Sequence, residues 1–113
     1  MMGYQGPERR RHKRHEMACP LALLGADGAA TARSKTIDLS DGGLLVSLPD
    51  DRAPESGAGL RVKLSVPRST PNTYMLEEFG SSATVVRREP LAGKRLIGVA
   101  LQFGEPLRLG IEV

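Results

Sequence analysis

Five of the six consecutive residues Arg9-Arg10-Arg11-His12-Lys13-Arg14 are cationic at neutral pH, and four of them are arginines. A planar guanidinium donates two parallel hydrogen bonds to a phosphate, or to the O6 and N7 acceptors of guanine, and it stacks on a base face. One residue type can therefore read most of a guanine nucleotide. Farther along, Asp38-Leu39-Ser40-Asp41-Gly42-Gly43 places a carboxylate and a hydroxyl at fixed spacing before a turn. An ionised Asp38 is acceptor-only and complements the N1 and N2 donors of guanine, whereas Ser40 donates or accepts. Gly43 allows the backbone to turn or to approach a neighbour closely. Taken separately, the first cluster reads as a solvated basic tail or an arm for any polyanion, and the second as an ordinary Asx or Ser turn.

The charge distribution favours a local anionic partner. Residues 1–16 carry five Lys and Arg against two Glu, and residues 17–113 carry eleven of each sign, so the whole net charge of +3 sits at the N-terminus. A surface that follows a long polyanion spreads its charge along a face instead. Cys19 is the one cysteine and there are two histidines, which excludes an internal disulfide and leaves too few ligands for a structural zinc site. No apolar run is long enough for a membrane span or the core of a signal peptide, which predicts a soluble, cytoplasmic protein without membrane contact.

The elements that must hold these groups are strands. In 113 residues with 13 Gly and 8 Pro, there is room for one turn-rich domain. Met17, Cys19, Leu21 and Leu23 recur at the strand period, with Pro20 marking an edge or bulge. Gly25-Ala26-Asp27-Gly28 is a hairpin turn into a second strand over 29–39, and a third covers 44–48. Strict alternation over 60–66 and good alternation over 81–88 and 95–103 complete six strands. Residues 67–72 read as loop, 73–79 as either strand or helical turn, and 89–94 as a hairpin connection. No amphipathic helix separates the strands, so the expected fold is all-β, an antiparallel barrel or sandwich. Residues 104–113 read as a short C-terminal tail or the start of a helix.

Order and separation join the two clusters. Arg10-x-x-x-Arg14, about two dozen residues, then Asp38-x-Ser40-x-x-Gly43 resembles the two-part signature of the PilZ domain, a bacterial cyclic di-GMP receptor family. Glu8-Arg9-Arg10-Arg11 resembles the lead-in of that family, and residues 83–88 and 97–103 resemble its last two strands. The resemblance covers about residues 8–103 and implies a six-stranded antiparallel barrel of split-barrel type over 15–103, preceded by a flexible basic arm over 1–14. It further implies that Arg10 and Arg14 meet phosphate and guanine, that Asp38 and Ser40 take polar edges of a base, and that Gly43 shapes the turn. Arg9, just before the first motif arginine, implies a stacked pair of ligand molecules per chain. The ligand that the resemblance implies is cyclic di-GMP, with no cofactor or metal and with an output that passes to an unidentified downstream protein.

Two other classes compete. A nucleic-acid-binding barrel would use the basic arm with stacking aromatics, but only Tyr4, Tyr74, Phe79 and Phe103 are available, and Phe103 is expected in the core. An enzyme would need a nucleophile, base and orienter, or a metal cluster, and neither Asp38 and Asp41 with His12 and His15 nor the adjacent Glu77-Glu78 supplies one.

Overall fold

Alternating apolar residues close the sheet into a ring. The computed structural model describes residues 13–91 and 95–111. Its strands are β1 (Pro20–Leu24), β2 (Ala30–Ser40), β3 (Gly43–Pro49), β4 (Gly59–Ser69), β5 (Tyr74–Leu91) and β6 (Leu96–Phe103). They pair antiparallel in the order β1-β2-β3-β6-β5-β4, and β1 returns to β4 to complete a closed barrel. No helix occurs among the described residues. Inward positions repeat every second residue: Leu44, Val46 and Leu48 on β3, Val62, Leu64 and Val66 on β4, and Val99, Leu101 and Phe103 on β6 are buried.

Three elements differ from the sequence expectation, each for a local reason. The strand expected from Met17 onward starts at Pro20, because the Thr36 side chain takes over part of the ladder before it, although Thr36 N–H still donates to Cys19 O at 3.0 Å. His15 exchanges backbone hydrogen bonds with Leu39 at 2.8 and 2.9 Å, and then the buried Thr36 hydroxyl donates to Met17 O at 2.7 Å and accepts from Cys19 N–H at 2.9 Å. Residues 67–69, expected as loop, belong to β4, and the undecided 73–79 stretch is the start of β5. Pro67 is tolerated there because the Thr70–Thr73 pair exchanges both backbone hydrogen bonds, so alternation aims the Pro67 nitrogen away from β5. On that outer side β1 no longer pairs beyond Leu64. Finally, Glu89, Pro90 and Leu91, expected in a connection, continue β5 opposite Gly98, Ile97 and Leu96.

Beyond the ring, β4 and β5 project as a two-stranded ribbon that leaves Tyr74, Met75 and Leu76 exposed. Residues 105–111 have no regular secondary structure but carry the fully buried Leu109 into the core, beside half-buried Leu107 and Ile111.

Thr36 predicts a measurable stability effect. Thr36→Val keeps the shape but leaves Cys19 N–H and Met17 C=O unpaired in the interior, which should cost about 1–3 kcal/mol in urea unfolding. Burial pushes the Cys19 thiol up from its usual range, opposed by its hydrogen bond to Thr36 and by the charge of Arg68. Cys19 should therefore react with a thiol reagent at pH 8 only as fast as the barrel opens, and faster in Thr36→Val.

Candidate functional site

Two bulges decide which side chains face outward over β2, β3, β6 and β5. In β2 the pairing with β3 shifts between Thr36 and Asp38, making Ile37 the extra residue. In β5 the pairing with β6 shifts between Val85 and Arg87, making Val86 the extra residue. A bulge reverses the inside-outside phase of the strand that carries it. Thr36 and Val85 point inward, yet Asp38 and Arg87 lie on the outer face, and Ile37 and Val86 are left exposed.

The register then places these groups in rows across β2, β3, β6 and β5. One row runs Asp38, Leu45, Ala100, Arg87, and the next runs Ser40, Gly43, Gln102, Thr84. Three interstrand spacings separate the ends of each row by ~14 Å. All of these residues but Thr84 floor an open groove of about 460 Å³, walled at one end by Arg14 and at another by Gly104 and Pro106. Leu45 and Ala100 give the middle an apolar platform, while Arg14, Asp38, Ser40, Arg87 and Gln102 supply polar groups around it.

Arg14 reaches the groove because the His15–Leu39 bridge pins the chain beside β2 one residue later. Its guanidinium Nη1 stands 3.9 Å from Asp38 Oδ2, with the Asp38 side chain 17% exposed and that of Arg14 41% exposed. The carboxylate thus keeps free acceptor capacity toward the groove. Ser40 closes its own turn: its hydroxyl accepts from Gly42 N–H at 3.2 Å and donates to Gly43 O at 3.3 Å. Gly43 is needed for a reason other than turning. Its backbone passes so near β6 that a Cβ would collide with the Leu101 carbonyl oxygen.

Of the residues singled out in the sequence, Arg14, Asp38, Ser40 and Gly43 therefore line one groove. Arg9 and Arg10, with most of the expected arm, lie outside the described residues. Arg87 and Gln102 were missed by sequence reasoning. The available signal was the adjacent apolar pair Val85-Val86, which breaks the strand period where a bulge turns the next residue outward. Among the described residues, no group of three or more His, Cys, Asp and Glu could hold a metal ion.

The PilZ domain family model matches residues 8–112, from the arginine cluster through the segment that buries Leu109. The chain belongs to the PilZ domain family. No curated protein matches it. Among solved structures, this PilZ domain is similar to the Bacillus subtilis inhibitor of motility MotI/DgrA, with a TM-score of 0.72 and 20% identity over 90% of this chain and 44% of that one. It is also similar to YcgR from Escherichia coli in complex with c-di-GMP, with a TM-score of 0.59 and 17% identity over 84% of this chain and 38% of that one. The separate YcgR PilZ domain with c-di-GMP gives a TM-score of 0.54 and 17% identity over 85% of this chain and 78% of that one. The chain thus spans less than half the length of the first two structures.

Proposed function

We propose that this PilZ domain is a non-catalytic receptor for cyclic di-GMP, bound in the groove over β2, β3, β6 and β5. The observation that carries the reading is the meeting of Arg14 and Asp38, distant in sequence, at the rim of a groove with an apolar floor. Asp38 accepts from the N1 and N2 donors of a guanine, which lies over Leu45 and Ala100. Arg14 exchanges its long contact with Asp38 for a phosphate or guanine acceptor, and Arg87 meets the far end of the dianion. Family membership and the cyclic di-GMP complexes of two structural neighbours support the same ligand.

In this reading Arg9 and Arg10 close over the bound nucleotide, since the chain reaches them within a few residues of the groove rim at Arg14. Fixing four to six residues costs on the order of 1–2 kcal/mol each, which several charge-assisted hydrogen bonds offset. Arg9 adds donors for a second stacked ligand, giving two per chain. The ordered arm presents a new surface to a downstream protein, and no covalent bond changes.

A titration followed residue by residue tests this. On adding cyclic di-GMP, backbone amides of residues 38–43, Arg87 and residues 100–102 should shift in NMR spectra, while those of residues 24–28 at the other end of the barrel stay in place. Shifts confined to residues 24–28, or none, would contradict the assignment. Arg87→Ala should weaken binding about tenfold, the worth of one charge-assisted pair, without lowering stability.

A further inference from the structure

We propose that residues 105–111 form a clamp that holds the nucleotide loop in its binding conformation, with Asp41 and Arg68 as its positioning residues. The inference rests on the receptor reading of the groove and adds a regulatory element to it. Leu107 N–H donates to the Asp41 backbone oxygen at 2.8 Å, and Leu109 N–H donates to Asp41 Oδ1 at 3.1 Å. From the opposite side the Arg68 guanidinium donates to the carbonyls of Leu109 and Gly110, the latter at 3.2 Å. Arg68 is itself fixed by Glu77 at 2.9 Å and lies over the Phe79 ring, 6.0 Å from its centre. Between these anchors Leu109 is 0% exposed, inserted into the core.

Neither Asp41 nor Arg68 lines the groove, yet both are joined to it. Asp41 lies in the Ser40–Gly43 turn, and the segment it holds follows Gly104 and contains Pro106, which together wall the groove. A displaced segment would move one wall and release the turn that orients Ser40. By linkage, whatever loosens the segment weakens the ligand, and the ligand tightens the segment by the same factor. Residues 105–111 thereby report occupancy of the groove on another face of the barrel, where Arg68 sits on β4.

The test uses the full chain, with cyclic di-GMP as probe and hydrogen exchange at the Leu109 amide as readout. Saturating ligand should slow that exchange about tenfold. Asp41→Ala and Arg68→Ala should each weaken binding about tenfold, whereas Asp41→Asn, which keeps the acceptor oxygen, should restore most of it. A general effect on stability would change the exchange of buried amides on every strand alike, whereas the clamp singles out Leu109. Faster Leu109 exchange in the alanine variants with unchanged affinity would overturn the clamp and leave the receptor standing. A wild-type chain that does not bind would overturn the receptor reading, and the clamp with it. If both alanine variants fail to fold, the wild-type measurement decides alone: no change in Leu109 exchange on saturation rejects the clamp.

Discussion

Asp38→Ala should weaken cyclic di-GMP binding by about 100-fold and leave the barrel almost as stable as before. The two effects separate because Asp38 does different work in the two states. In the free protein its one ionic neighbour among the described residues is Arg14 at 3.9 Å, and the arginine is 41% exposed. A pair so long and so open to water is worth less than about 1 kcal/mol. In the complex proposed above, the same carboxylate accepts from two guanine donors over an apolar floor, each worth about 1.5 kcal/mol or more for a charged acceptor. Their sum is about 3 kcal/mol, hence the 100-fold. Asp38→Asn should fall between, since the amide keeps one acceptor but turns a second site into a donor. Calorimetric titration beside urea unfolding measures both sides. A drop in stability as large as the drop in affinity would mean that Asp38 is a fold residue.

Gly43→Ala should be the most disruptive single methyl addition near the groove, lowering stability by about 3 kcal/mol and abolishing binding with it. The cause is contact, because the added Cβ meets the Leu101 carbonyl on the neighbouring strand and backbone atoms cannot step aside as a side chain can. Either β3 separates from β6 at Gly43–Gln102, or the Ser40–Gly43 turn distorts. Both outcomes damage the groove floor. Gly28 is the control: its φ is 84° and nothing lies within 4 Å of its added Cβ, so Gly28→Ala carries only the backbone strain of about 1–2 kcal/mol and should bind normally. Equal costs at the two positions would argue against the close β3–β6 approach.

The parts of this architecture that were legible in the sequence are those that keep a strict period. Alternation over 60–66 and 97–103 gave strands with the correct inward residues, and Gly25-Ala26-Asp27-Gly28 gave a turn in which Gly28 N–H bonds to Gly25 O at 2.9 Å. Arg14, Asp38, Ser40 and Gly43 were legible as a set through spacing and resemblance. What escaped was produced by irregularity. The bulges at Ile37 and Val86 shift the phase by one residue, and no local propensity marks them strongly, so Arg87 was not associated with the site; Gln102 keeps the regular outward phase of β6 and joins the site only through its pairing with Gly43. Pro67 stood in a stretch read as loop, where a free ribbon edge accommodates its nitrogen, while Pro71 does lie in the turn between β4 and β5. Leu109 gave no periodic signal, because its burial depends on Asp41 and Arg68, which lie far from it in sequence.

The most direct test of the receptor account is calorimetric titration of the wild-type chain with cyclic di-GMP, beside cyclic di-AMP and a short DNA duplex at two salt concentrations. The account predicts saturable binding of the guanine ligand near two per chain, with neither adenine ligand nor duplex competing. Duplex binding with a steep salt dependence and no heat from cyclic di-GMP would make the basic arm a polyanion contact and contradict it.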